Sequence, residues 1–232
     1  MKFAIIAAGE GSRLAKEGVK APKPLIPLNG VPIIERLARI FARNGAESIS
    51  IIINEQQPET LEFLQKLDAG CPINIVVKDT PSSMQSMHAL SSYLRGGKFC
   101  LTTVDTLFNE EEFSRYVAAL ESSSHDGIMA VTDYIDDEKP LYVATGASME
   151  ITAFRDSAAP DTKYISGGIY GLSDKALDIL DECMSKGIAR MRNFQRALVE
   201  GGLKLQAYPL GKIIDIDHAE DIAKAERFIQ EQ

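Results

Sequence analysis

The chain has 232 residues, of which 45% are hydrophobic and 25% charged, and a formal net charge of −8. That length and balance allow a sizeable buried core in one large α/β domain or two small ones. The acidity excludes nucleic acid gripped by a basic surface, but not a nucleotide held by local N–H groups and a few cations.

From the N-terminus, apolar runs read as buried strands at 2–9 (KFAIIAAG), 48–54 (SISIIIN), 73–79 (INIVVKD), 99–105 (FCLTTVD) and 127–133 (GIMAVTD). Helical stripes fall between them. In 31–45, Ile33, Ile34, Leu37, Ile40 and Phe41 share one face, Pro32 suits the first turn and Gly45 suits the end. Segments 59–70, 86–97 and 110–123 follow the same plan. Strand–helix alternation with short links implies an α/β fold, a Rossmann-like mixed but mostly parallel sheet flanked by helices. Beyond residue 134 the runs at 140–146, 149–154 and 163–172 follow one another with no room for helices, as in an antiparallel flap. Two helices (about 173–185 and 190–201), strands at 204–210 and 212–217, and a closing helix at 218–230 complete a single domain, 1–232, without repeats or linkers.

Cys71, Cys100 and Cys183 match neither a zinc spacing nor a disulfide framework. His88, His125 and His218 are dispersed. No apolar run has the form of a secretory leader or the length of a bilayer span, so a cytoplasmic protein without membrane contact is expected.

The chemistry concentrates in AAGEGSRLAKEG (7–18). A glycine-rich turn after a buried strand brings backbone N–H groups close to phosphate. Here Ala8, Gly9, Gly11 and Ser12 present them. The stretch lacks the third glycine of a dinucleotide fingerprint and the G-K-[ST] ending of a P-loop, and Asn54 rather than an acid ends strand two, so a dinucleotide oxidoreductase is disfavoured. Arg13 stands at the tip of the turn, and ten residues later KPLIPLNG (23–30) sets Lys23 in a proline-stiffened turn. Two cations beside bare N–H groups suit a triphosphate, although each taken alone also fits a solvated loop residue.

AAGEGSRL followed by KPLIPLNGVPIIERL (23–37) resembles the start of the sugar-1-phosphate nucleotidylyltransferases, and the resemblance extends over essentially the whole chain. It implies the nucleotide-diphospho-sugar transferase fold, with a nucleotide-binding half (1–133) and a sugar- or acceptor-binding half (134–232). It also implies catalytic roles for Arg13 and Lys23 and a Mg²⁺ cofactor. The family's metal aspartate follows the fourth strand, where Asp105 stands; an Asx turn or helix cap is the competing account. KIIDIDHAEDIAKAE (212–226) is similar to the family's C-terminal acidic segment. Asp215 aligns with the second metal ligand. Asp217 is the alternative or partner, as in some choline-phosphate and related cytidylyltransferases, but Asp217-x-x-Glu220 also reads as a capping box. The implied partners are a nucleoside triphosphate and a sugar 1-phosphate or a small phosphorylated alcohol such as phosphocholine. The acceptor phosphate attacks the α-phosphorus and expels pyrophosphate, which needs positioning and charge neutralisation rather than a protein nucleophile.

The same resemblance places base recognition in KDTPSSMQSMHAL (78–90), whose serine-rich form looks more like the cytidylyltransferase branch. Thr80, Gln85 and Ser86 are then base contacts or, equally, first-turn residues of the next helix. YISGGIYGL (164–172) resembles the family's sugar-binding strand and nominates Gly168, with Gly167 beside it. The family's Glu-Lys-Pro is missing: TAFRDSA (152–158) offers Arg155, and Lys163 lies near. Arg190 and Arg192 are either acceptor contacts or solvated helix arginines. A related glycosyltransferase would want Asp-x-Asp where VDTLF (104–108) supplies only Asp105, and a silent nucleotide sensor would have lost the arginine or an acid. The length leaves no room for an acetyltransferase extension. A homo-oligomer is admissible.

Overall fold

The computed structural model describes residues 1–136, 139–160 and 162–232. In chain order the first half contains β1 (Lys2–Ala7), α1 (Ser12–Lys16), a single 3₁₀ turn (Lys23–Leu25), β2 (Pro27–Leu28), β3 (Val31–Pro32), α2 (Ile33–Arg43), β4 (Ser48–Ile53), α3 (Pro58–Lys66), β5 (Ile73–Val77), α4 (Ser83–Leu94), β6 (Phe99–Thr103), β7 (Thr106–Leu107), α5 (Glu110–Ser122) and β8 (Gly127–Thr132). The second half contains β9 (Tyr142–Thr145), β10 (Ile151–Arg155), β11 (Tyr164–Leu172), α6 (Asp174–Ser185), α7 (Met191–Glu200), β12 (Leu205–Pro209), β13 (Ile214–Asp215) and α8 (Ala219–Gln230).

One nine-stranded sheet organises the molecule, with β5-β4-β1-β6 parallel and β11 antiparallel to β6. β11 is long enough to pair with β6, β8 and β9, so it joins the two halves of the chain, and β12 adds parallel to β8. The two-residue period of β1 feeds two cores. Phe3, Ile5 and Ala7 face a cluster with α2, α5 and α8, while Ala4, Ile6 and Ala8 face one with α4, α6 and α7. On the first face, Phe3, Phe41, Phe113 and Phe108 stack in series, with centroids 4.7, 5.6 and 4.5 Å apart.

The strands and long helices sit where the sequence pattern puts them, within a few residues at each end. Pro32 is the exception among the caps: it precedes the first residue of α2 instead of lying in its first turn. Gly45 follows the C-terminal end of that helix with φ +74°, a conformation glycine adopts without strain. Pattern reading passes over the short pieces, namely α1, the 3₁₀ turn, the β2–β3 hairpin and β7, which pairs with β13 inside the expected 212–217 strand. They are too short to show a period, and all but the hairpin carry or adjoin polar residues of the site. Among the described residues, no helix is long and apolar enough to cross a membrane.

Candidate active site

Because β1 and β6 are parallel neighbours, the turn after β1 and the residues after β6 emerge side by side at the carboxyl edge of the sheet, where open α/β sheets bind ligands. The turn is held from behind. The Asn54 amide, at the end of β4, donates to the carbonyls of Ala8 and Gly9 (both 3.3 Å), and Gln57 donates to Gly9 at 3.2 Å. With the carbonyls tied back by these two buried side chains, the turn's N–H groups remain for a ligand. Gly11 has φ +62°, and a Cβ there would come 3.2 Å from that of Lys23, so glycine is required both by conformation and by the approach of the second cation.

The cations and acids form one chain of contacts. Lys23 Nζ lies 2.5 Å from Asp105 Oδ2 and 3.0 Å from Asp217 Oδ1, and Arg13 Nη1 lies 2.9 Å from Asp217 Oδ2. The lysine side chain is only 10% exposed. Burial opposes its charge, but Asp105 and then Asp217 outweigh it and raise the ammonium above its ordinary range. Burial likewise opposes ionisation of Asp217, and Lys23 followed by Arg13 outweighs it, holding the carboxyl below its usual range. Asp105 is presented by the β7–β13 pairing, in which Asp215 stands opposite Thr106 and Ile216 N–H donates to the Asp105 carbonyl at 3.2 Å.

The capping expectation for Asp217 is corrected. His218 is the N-cap of α8, and the partner acid is Asp221, which accepts from His218 N–H at 2.8 Å and Asp217 N–H at 3.2 Å. Glu17, just past α1, accepts from Ala219 N–H and meets His218 Nδ1, both at 2.7 Å. With Asp221 and Glu17 satisfying the helix start, the Asp217 side chain turns to Lys23 and Arg13. The structure therefore sets Asp217, rather than Asp215, beside the loop cations.

Three cavities meet here. The first, about 430 Å³, is lined by the turn from Ala8 to Arg13 and by Lys23, Thr80, Ser86, Asp105 and Asp217. Gln85 does not line it; its carboxamide oxygen accepts from the Ser82 hydroxyl, a first-turn contact of α4. The second, about 340 Å³, shares Ser82, Ser83 and Thr103 with the first and adds Gly168, Tyr170, Arg190, Arg192, Gln195 and Asp215. The third, about 680 Å³, shares Arg13 and Asp217 with the first and runs past Gly167, Asp215 and the start of α8. Gly167 and Gly168 thus open on different cavities from adjacent positions of β11. A Cβ on Gly168 (φ +73°) would come 3.1 Å from Thr106 Oγ1, and one on Gly167 would strike Ile213 Cδ1 at 2.5 Å.

The anticipated acceptor cations are also corrected. Lys163 points to Asp133 (3.7 Å) and the Tyr164 ring, and exposed Arg155 ends β10; neither lines these cavities. The cations on the second and third cavities are Lys139, which lines both, Arg190 and Arg192 at the start of α7 on the second, and Arg13 and Lys224 on the third. Arg192 is tied to Asp156 at 2.6 Å and to the Lys139 carbonyl at 2.9 Å. Tyr170 stays a neutral phenol, because burial and then the charge of Asp215 raise it far above its ordinary range.

A family model, the MobA-like NTP transferase domain, matches residues 3–165, which span the turn, both loop cations and Asp105. The chain belongs to this family. It is 27% identical over 160 residues to a CMP-5'-(3-aminopropyl)phosphonate synthase of Streptomyces rubellomurinus, covering 60% of this chain and 25% of that one. It is 27% identical over 175 residues to a 2-aminoethylphosphonate cytidylyltransferase of Lancefieldella rimae, covering 70% and 69%. Its fold is that of the inositol-1-phosphate CTP transferase from T. maritima, with a TM-score of 0.83 at 18% identity over 99% of this chain and 94% of that one. The chain thus spans only a quarter of the first relative.

Within this NTP transferase domain, several contributors carry no sequence signal. Asn54 and Gln57 act through loop carbonyls, Glu17 caps a helix 202 residues away, and Lys139 is a solitary lysine in a polar stretch. Gln195 was legible only as one more residue of an amphipathic helix.

Among the described residues, no three acidic, thiol or imidazole groups converge as a metal cluster. Asp105 and Asp217 nevertheless share one ammonium, so their oxygens converge on a single cationic position. Two carboxylates completed by phosphate oxygens and water suit a hard divalent ion.

Proposed function

We propose that this chain transfers CMP from CTP to a small phosphate or phosphonate acceptor and releases pyrophosphate. The observation that carries the reading is the Arg13–Asp217–Lys23–Asp105 chain of ion pairs, standing where a loop-lined cavity meets two acceptor-side cavities. The triphosphate lies along the turn's N–H groups. An acceptor oxygen attacks the α-phosphorus in line, the new P–O bond forms, and the bond to the pyrophosphate oxygen breaks. The acceptor is already an anion near neutral pH, so no protein base is needed. Lys23 holds the α-phosphate, and Arg13 takes up charge on the departing pyrophosphate. Arg190 and Lys139 draw the acceptor's anionic group, with Gly168 beneath its body.

The site accommodates Mg²⁺, which Asp105 and Asp217 would hold, with Asp215 on the acceptor side; when bound, it neutralises phosphate oxygens as a Lewis acid. The preference for cytosine is supported by the serine-rich 78–90 stretch and by the CMP or CTP chemistry named for three of the similar proteins. In this reading 1–133 serves the nucleotide and 134–232 the acceptor, as halves of one cytoplasmic domain; the three unpaired cysteines are in keeping with a reducing compartment.

Pyrophosphate release with Mg²⁺ tests the reading, crossing the four ribonucleoside triphosphates and dTTP against sugar 1-phosphates, inositol 1-phosphate, phosphocholine and 2-aminoethylphosphonate. Release with CTP and one acceptor is expected. Release with another base overturns the cytosine assignment, and silence throughout overturns the transfer.

A further inference from the structure

Gln195, on α7, is 3% exposed, and its Oε1 accepts from Ser166 Oγ at 2.9 Å. With Oε1 facing Ser166, both Nε2 N–H groups are turned away from it. Among the described residues nothing accepts from them. Yet the nitrogen is not sealed in: among the described residues, the solvent-excluded side-chain polar atoms without a partner are Arg36 Nε and Ser173 Oγ. Gln195 lines the cavity beside Gly168, Tyr170 and Arg190, so its amide opens there. The donor end of a side chain held this deeply is therefore offered to whatever occupies the cavity. Arg190, which reaches the same cavity, also only donates.

We infer that Gln195 selects the acceptor by donating to an oxygen on its non-reacting body, so the site takes a hydroxylated phosphate or phosphonate in preference to an aminoalkyl one. The inference rests on the transfer reading above. An ammonium at the same point would set N–H against N–H beside the Arg190 charge; a hydroxyl oxygen there accepts. Ser166 is then a positioning residue, acting through the orientation of the amide.

Three isosteric acceptors decide the matter: 2-hydroxyethyl phosphate, 2-aminoethyl phosphate and ethyl phosphate, each assayed with CTP by pyrophosphate release. The wild-type protein should favour the hydroxyethyl compound in kcat/KM by about tenfold over the other two, the scale of one net hydrogen bond. In Gln195→Leu the preference over ethyl phosphate should fall to within about twofold while the KM for CTP stays unchanged. Ser166→Ala keeps the glutamine but frees it to turn, and should lose part of the preference. It serves as the readout if the leucine variant melts early. A wild-type preference for the aminoethyl compound, drawn instead to Asp215, overturns the inference, as does selectivity that survives both substitutions. In those cases turnover persists and the transfer reading stands; absence of release with every acceptor, the wider panel included, removes both.

Discussion

The nucleotide cavity and the acceptor cavity are built by opposite means. The first is made of backbone: a single turn of consecutive residues supplies the N–H groups, and Asn54 and Gln57 hold it by its carbonyls. The second is made of side chains from α7, β11 and the segment before β9, which are far apart in sequence. A phosphate chain is common to every nucleoside triphosphate and can be met by invariant backbone geometry. An acceptor varies, and side chains are what a fold can exchange without rebuilding its sheet. Arg13 and the Lys23 bridge lie where the two constructions meet.

The largest effect should come from breaking that junction. Asp105→Asn removes the charge facing Lys23, and pyrophosphate release should fall by roughly a thousandfold. The melting temperature should stay within a few degrees; unchanged turnover would separate Asp105 from the chemistry. Arg13→Ala follows. Its side chain is 57% exposed and lines the nucleotide cavity with Asp217 as its ion-pair partner, so its contribution is assigned to the charge that develops in reaction. A loss of about a hundredfold in kcat, with little change in the KM for CTP, is expected. A rise in KM alone would confine Arg13 to ground-state binding. Arg190→Ala sharpens the comparison from the other side: the acceptor KM should rise about tenfold and the CTP KM should not move. Equal effects on both substrates would mean that the cavities do not divide the labour.

The smallest effect lies outside both. Asp126, at the start of β8, accepts from Lys175 at 2.7 Å and from Lys204 N–H at 2.9 Å, and these two bonds, in that order, hold its carboxyl below the ordinary value of 3.8. A carboxyl lowered on folding stabilises the protein above its unfolded pKa, and that contribution fades as pH falls through the folded one. Asp126→Asn should therefore cost about 1 kcal/mol in urea melts at neutral pH. The gap should close as pH falls through the lowered carboxyl range, with kcat/KM for both substrates unchanged throughout. A gap that persists in acid would assign the cost to packing.

Much of the architecture was legible because it is local. Strand periods, helix stripes and glycine stops depend on residues within a few positions of one another, and the turn at 7–18 announces itself by composition. Asp105 was legible for the same reason, as an acid closing a buried strand. The ranking of Asp215 over Asp217 was not, because it depended on which acid caps α8. The answer lay with Asp221 and with Glu17, more than 200 residues away at 2.7 Å from the helix start. Lys163 and Arg155 stood in for a family lysine that this sequence lacks, and neither lines the cavities, while Lys139, Arg190 and Gln195 are carried in by the packing of α7 and the segment before β9 against β11. The sequence by itself determined that this chain builds a parallel sheet with a phosphate-binding turn, two cations and two acidic strand ends, since each is written in contiguous residues. Only the tertiary structure decided which acid meets the cations and which side chains meet the acceptor, because those contacts close over long loops and no local rule specifies their partners.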